Sequence, residues 1–239
     1  MRRPGACARL LGETEQQEVY VLGFKRHQVE EALAAVSGVD GDEASSELRI
    51  RVKRLLDADR ALGREPEEGG SERTTYAFYS DDPPGSGWEV WFSSYEAFAL
   101  LIALLLLRHG WPQGAVVRIM RRARPSLEPQ HARILAQDPQ TLFDQDEVRK
   151  HAQEGMLAVD NTDPVFLAIV TAGQAERGAN ADAAPQAVGA CRGQVELVSF
   201  IRRQAPAGMS TTSLEVTGHA HRLAHHLAHI EPKPRGRRR

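Results

Sequence analysis

An unbroken apolar run of eleven residues, from Ala97 to Leu107, limits the possible folds of this chain more than any other feature. A helix of that length is about 16 Å long, roughly half the thickness of the hydrocarbon core of a bilayer. The run is apolar on every side, which is typical of a buried helix rather than of an amphipathic surface helix. We therefore expect a helix over 95–108 at the centre of a hydrophobic core.

The composition is that of an ordinary soluble protein, with 41% apolar and 26% charged residues among 239. This length allows one large domain or two small ones. A formal net charge of −2 gives no overall attraction to nucleic acid or to an anionic membrane, so such affinity would need local patches. The two cysteines are far apart, which argues against a disulfide framework or a zinc ribbon. The first residues lack the pattern of a signal peptide, and a cytoplasmic protein is predicted.

Two amphipathic helices are predicted near the N-terminus, over 25–37 and 43–62. Val29, Leu33 and Val36 share one face of the first helix, and Gly38 ends it. The second helix carries four leucines and a valine at helical spacing and ends before the next glycine. The short loop between them favours a helix-turn-helix pair.

A β-hairpin is predicted between this pair and the apolar helix. Its strands are 74–79 and 88–92, both rich in aromatic residues, and the turn 80–87 contains prolines and glycines. A further helix is expected over 114–124. A hairpin beside a helical core is how winged helix-turn-helix proteins approach nucleic acid.

The remaining elements are predicted to be a mixture of helices and short strands. The expected helices are 126–137, 144–154 and 212–230, the expected strands are 19–22, 156–159 and 165–170, residues 194–201 are either strand or helix, and 173–190 are a flexible loop.

The pattern as a whole predicts an α+β fold. It consists of a mainly helical winged helix-turn-helix-like domain over 19–124, with its β-hairpin, and a smaller mixed α/β part over 125–230 for dimerisation or partner binding. Residues 1–18 are expected to be a flexible arm and 231–239 a basic tail.

A family resemblance is carried by Trp91-Phe92-Ser93-Ser94-Tyr95 and by Arg108-His109-Gly110-Trp111-Pro112-Gln113-Gly114-Ala115-Val116. The order of these segments resembles the DNA-binding domain of the MerR-type winged helix-turn-helix family, over about 25–124. The resemblance implies DNA binding and transcription regulation, with Tyr95 and Trp111 bracing the wing.

Two departures from that family stand out. The hairpin tip is acidic at Asp81 and Asp82, where phosphates would repel it. The chain also has Leu62-Gly63-Arg64 where the family carries an Arg-Tyr-Tyr-like turn. A hairpin that only braces the core is therefore an open alternative.

Positive charge is concentrated in three stretches that could contact phosphates. In the helix over 43–62 the candidates are Arg49, Lys53 and Arg54, and in the helix over 114–124 they are Arg118, Arg121, Arg122 and Arg124. The basic tail is the third stretch. The alternative is that these cations only lie on solvated helix faces. In the helix over 43–62 they are also interleaved with acidic residues.

Histidines crowd the last predicted helix. His221, His225 and His229 follow one another at i, i+4 spacing, which makes them weak candidates for a transition-metal site. A complete site needs further converging ligands, so no metal is predicted, and packing or self-association is the simpler interpretation.

No catalytic motif or cofactor-binding motif is present in the sequence: it has no phosphate-binding loop, no dinucleotide fingerprint and no nucleophile elbow. We expect a protein that is not an enzyme, has no cofactor and forms a homodimer. The favoured function is duplex DNA binding as a transcriptional regulator. The alternative is a non-enzymatic adaptor or assembly subunit with a winged-helix-like core.

Overall fold

The computed structural model describes residues 23–38, 42–63, 76–82, 90–152, 154–171 and 185–232. This part of the chain has a mixed α+β fold with two small antiparallel sheets. Its elements are β1 (Phe24–Lys25), α1 (Arg26–Val36), α2 (Asp42–Leu62), β2 (Trp91–Phe92), α3 (Ser94–Arg108), α4 (Gln113–Leu135), α5 (Pro139–Leu142), α6 (Gln145–His151), β3 (Val165–Thr171), β4 (Ala187–Arg192), α7 (Gly193–Gln204), β5 (Ser210–Glu215) and α8 (Thr217–His229).

The apolar run forms the central helix, as predicted. In α3 every residue from Tyr95 to Leu104 is buried, and the helix contacts α2, α4 and α8. Its first turn is closed by a capping box, in which the Ser93 hydroxyl accepts from the Glu96 N–H and the Glu96 carboxylate accepts from the Ser93 N–H. The helices predicted over 25–37 and 43–62 are confirmed as α1 and α2. Gly38 follows the end of α1 and has a φ of +61°, the left-handed conformation that glycine commonly adopts after a helix.

The predicted hairpin is wrong for the residues that the structure describes. Trp91 and Phe92 pair with Lys25 and Phe24 of β1, and residues 76–82 form bends rather than a strand. The reason lies in α2, because the Asp59 carboxylate accepts hydrogen bonds from the backbone N–H groups of Ala77 and Phe78. Those N–H groups are then not available for a partner strand. The predicted strand 19–22 and the residues 83–89 lie outside the described residues.

The predicted break at Pro125 is also wrong, because 113–135 is one continuous helix. Pro125 and Pro129 both lie on its exposed face, where water can satisfy the carbonyl groups that lose a helical hydrogen bond. The opposite face is buried along its whole length and holds the helix together. The domain boundary predicted after residue 124 therefore falls inside α4.

The second sheet has the strand order β4-β3-β5 and is antiparallel throughout. β3 confirms the strand predicted over 165–170. β4 replaces the end of the predicted loop, β5 replaces the start of the predicted last helix, and residues 156–159 form no strand. Residues 194–201, which the sequence predicts as either strand or helix, belong to the helix α7, and this helix covers one face of the sheet.

One hydrophobic core joins the first and the last described elements. The opposite face of the sheet contributes Val165, Leu167 and Ile169 to this core, together with α1, α3, α4 and α8. The end of α8 is fixed to α1 by a hydrogen bond of 2.7 Å from the Gln28 side-chain amide to the Ile230 carbonyl. Within the described ranges, no helix combines the length and the hydropathy that crossing a bilayer requires.

Candidate functional site

The three candidate cations of α2 lie on the surface. Arg49 and Lys53 have side chains that are each 64% exposed, with Glu30 at 3.9 Å from the Arg49 guanidinium and Asp57 at 2.6 Å from the Lys53 ammonium. Arg54 is exposed as well, and its backbone carbonyl accepts a hydrogen bond from the Gln113 side chain. These residues keep the accessibility that a phosphate contact needs, although acidic neighbours offset part of their charge.

Arg121 is a structural residue that reaches into the protein. Its Nε donates to the fully buried Asp59 carboxylate at 2.7 Å, and Nη2 donates to the Asp59 backbone carbonyl. Its guanidinium also lies 5.4 Å from the ring centre of Tyr76. Arg121 thus neutralises the carboxylate that holds Ala77 and Phe78.

Arg124 is buried and binds the same segment from the other side. Its Nη1 donates to the carbonyls of Tyr76 and Tyr79, and its Nε donates to Glu128 at 3.0 Å. The guanidinium lies 5.2 Å from the ring centre of Tyr95, whose pKa is raised by burial. We call the group of Asp59, Arg121 and Arg124 the buried clamp, because it fixes residues 76–80 between α2 and α4.

The other two candidate arginines of α4, Arg118 and Arg122, lie outside the buried clamp. Arg122 donates to the Pro185 carbonyl and links α4 to the start of the second sheet. Arg118 is half-buried. Of the bracing residues expected from the sequence, Tyr95 is buried in the core, and Trp111 is half-buried and packs against it.

The histidines of α8 do not converge on a metal site. His221 packs edge-on against Phe143, and burial lowers its pKa. His225 and His229 lie 4.4 Å apart between ring centres on the exposed side. No group of three or more metal-ligating side chains occurs among the described residues.

A buried histidine that the sequence analysis did not single out lies beneath α8. His131 of α4 stacks on Phe98 at 4.5 Å between ring centres and meets Tyr95 edge-on. Burial, with a smaller contribution from His221, lowers its pKa to about 4. A single histidine in a helix of mixed composition gave no signal of this environment.

An exposed apolar patch lies on the outer side of the second sheet. Val195 and Val198 of α7 are 73% and 43% exposed, and Leu157 is 55% exposed. The Gln194 side chain holds the two segments together, because it accepts from the Leu157 N–H at 2.5 Å and donates to the Leu157 carbonyl at 2.6 Å. We call Met156, Leu157, Val195 and Val198 the α7 face.

Beside the α7 face lies a cavity of about 540 Å³. It is lined by Leu157, Ala158, Val159, Asp160, Phe166, Ser213 and Glu215. Its wall therefore combines apolar side chains with two carboxylates.

No protein-family model matches the chain, and neither does any curated protein or solved structure. The resemblance to MerR-type proteins therefore stays a prediction from the sequence.

Proposed function

We propose that this protein is a non-enzymatic assembly subunit that associates with further copies of itself through the α7 face. The observation that carries the proposal is the exposure of Val195 and Val198 on α7 and of Leu157, whose backbone the Gln194 side chain holds beside that helix. A grouped apolar surface of this kind on a folded protein is typical of a protein–protein contact.

The two ends of α7 carry charges of opposite sign. Glu196 lies in the first turn, and Arg202 and Arg203 lie in the last turn. Two copies of α7 packed antiparallel about a two-fold axis near Val198 would place each glutamate opposite the arginines of the other copy. Such a contact would bury the valines and pair opposite charges around them.

The state of the arginines on α4 also favours assembly over nucleic-acid binding. Arg121 and Arg124 donate hydrogen bonds to groups inside the protein, and Arg122 donates to a backbone carbonyl. Three of the four candidate arginines on this helix therefore make hydrogen bonds within the protein.

Light scattering after size-exclusion chromatography tests the proposal. We expect the native chain to have the mass of a dimer and the double variant Val195→Glu, Val198→Glu to have the mass of a monomer with unchanged circular dichroism. Ile50→Glu is the matched control, because Ile50 is 48% exposed on α2, and this variant should remain dimeric. A native chain that is monomeric up to hundreds of micromolar would reject the proposal.

Duplex DNA binding by a winged helix-turn-helix-like α1–α2 pair is the second candidate. It is supported by the exposure of Arg49, Lys53 and Arg54 along α2. A cationic helix face of this kind gives an affinity that falls steeply with salt. Binding to arbitrary duplex DNA should then weaken with rising salt, and Lys53→Gln with Arg54→Gln should reduce the slope by about 2 units. A slope near zero in the native chain excludes this candidate.

A further inference from the structure

The cavity beside the α7 face is built on the open edge of the second sheet. Phe166 of β3 and Glu215 of β5 are paired in register, and Ser213 lies two residues along β5 on the same sheet face. The segment 157–160 forms the rim, which Gln194 fixes to α7. The cavity is thus framed by two strands, a helix-anchored rim and an apolar floor.

The two carboxylates of the cavity differ from their neighbour Asp163. Burial alone would raise the pKa of Asp163, but hydrogen bonds from Arg192, Arg133 and Gln137 lower it. No lysine or arginine among the described residues forms a salt bridge with Asp160 or Glu215. Within the described residues, the charge of Asp163 is therefore paired with arginines, whereas Asp160 interacts electrostatically with the partly buried His219.

Asn161 holds these two carboxylates in position. It is only 2% exposed, and its side-chain amide donates to Asp160 at 3.2 Å and to Glu215 at 3.3 Å. Glu215 also accepts from the Thr217 N–H at 2.8 Å. These bonds fix one oxygen of each carboxylate. The second oxygen can accept from a ligand, and little conformational entropy is lost because the side chain is already ordered.

The edge of β5 is the remaining part of the arrangement. β5 pairs with β3 on one side, and no described strand pairs with its other side. Its sequence, Ser210-Thr211-Thr212-Ser213-Leu214-Glu215, contains neither the proline nor the lysine that commonly block an edge strand. An extended peptide can therefore add to this edge through its backbone.

We propose that this cavity binds a lysine or arginine side chain presented by an extended segment of a partner protein. The aliphatic stem lies against Leu157, Val159 and Phe166, and the cationic head lies between Asp160 and Glu215. The backbone on either side of the basic residue pairs with the edge of β5. Alternation of side chains along a strand lets one basic residue enter the cavity while its neighbours point away.

The test uses the full chain labelled with nitrogen-15 and follows its amide resonances by NMR. The probes are N-acetyl-lysine methylamide, N-acetyl-arginine methylamide and N-acetyl-norleucine methylamide, of which the last keeps the stem and lacks the charge. We expect the two basic probes to shift the amides of 157–160 and 213–215 in a saturable way. The norleucine probe should bind about tenfold more weakly, since it forms no charge-assisted hydrogen bond.

Two variants decide whether the carboxylates are responsible. Glu215→Gln keeps the oxygen that accepts from Thr217 and removes the charge, so it should weaken the lysine probe about tenfold and leave the norleucine probe unchanged. Asp146→Asn removes one exposed charge from α6 and should change neither probe. Equal binding of lysine and norleucine, or no binding of lysine to the native chain, overturns the proposal.

n-Butylamine distinguishes a free amine from a peptide residue. The peptide proposal predicts that it binds several-fold more weakly than the blocked lysine, because it has no amides for the edge of β5. Equal affinity overturns the assignment to a partner segment. Leu157 lines the cavity and also belongs to the α7 face, so the titration is repeated with the variant Val195→Ser, Val198→Ser, which removes the two valines without adding charge. The lysine probe should bind this variant at least as tightly as the native chain, whatever the mass of either protein.

Discussion

Asp57 and Asp59 lie two residues apart in α2, yet their surroundings give them opposite roles. Asp57 pairs with Lys53 on the surface, whereas Asp59 is fully buried and accepts from two backbone N–H groups and from Arg121. In the sequence both are acidic residues of a helix that is rich in cations, and nothing nearby distinguishes them. The environment of Asp59 is set by residues 18 or more positions away, which no local pattern could predict.

Replacing Asp59 tests the buried clamp. We expect Asp59→Ala to lower the free energy of unfolding by about 3–5 kcal/mol, because Arg121 then loses its buried counter-charge. Asp57→Ala is the matched control and should cost less than about 1 kcal/mol, as is usual for an exposed pair. Urea unfolding followed by circular dichroism measures both, and equal effects would contradict the account of the clamp.

His131 predicts a dependence of stability on pH. Its pKa is about 4 in the folded protein, below the usual 6.5, so the unfolded chain binds more protons between these values. Stability should therefore fall as the pH falls from about 6.5 to 4, by roughly 3 kcal/mol for this group alone. His219 and His221 have pKa values lowered by burial and act in the same direction.

The variant His131→Phe isolates that contribution. It keeps an aromatic ring against Phe98 and has no proton to bind, so its stability should decline less steeply than that of the native chain over this pH range. Urea unfolding at a series of pH values gives the difference between the two proteins. Parallel pH profiles would show that His131 does not have a lowered pKa.

At the scale of the elements, periodicity predicted α1, α2 and α3 well because their apolar faces are complete within each segment. β5 escaped prediction because Ser-Thr-Thr-Ser is an edge strand whose side chains are largely half-buried or exposed. The sequence predicts a break in α4 at Pro125. Whether that position is exposed depends on how the helix packs, which the sequence does not show. The sequence predicts a hairpin between 74–79 and 88–92, whereas the Asp59 carboxylate holds Ala77 and Phe78, and β2 pairs with β1.

Pro125 offers a test of the continuity of α4. Alanine can donate the helical hydrogen bond that proline lacks, and position 125 is exposed, so Pro125→Ala should raise the free energy of unfolding by about 1–3 kcal/mol. Pro139→Ala is the control, because Pro139 is the first residue of α5 and proline costs little there. A loss of stability in Pro125→Ala would mean that the helix bends at this proline.

At the scale of the whole molecule, the larger of the two clusters of buried apolar side chains contains residues of both α1 and α8. Leu223 and Leu227 of α8 are buried in the same cluster as Val29 and Leu33 of α1. The sequence could indicate that α8 has an apolar face, but not that it packs beside the N-terminal helices. The candidate sites show the same limit, because the α7 face and the cavity bring together residues 157, 195 and 213, which are distant in the chain.

The shared core predicts cooperative unfolding of both ends of the chain. Leu223→Ala should cost about 2–5 kcal/mol, as is usual for a buried leucine. Hydrogen exchange should then increase in α1 and α3 as well as in α8, because the elements unfold together. An increase confined to α8 would mean that this helix is a separate unit.

Disulfide crosslinking of Val198→Cys, in a chain that also carries Cys7→Ser, tests the proposed self-association most directly. Cys191 is buried and does not compete, and Ile50→Cys in the same background is the control. We predict that mild oxidation links Val198→Cys into a covalent dimer with high yield and leaves Ile50→Cys monomeric. Failure of Val198→Cys to crosslink, or equal yields from the two variants, would contradict assembly through the α7 face.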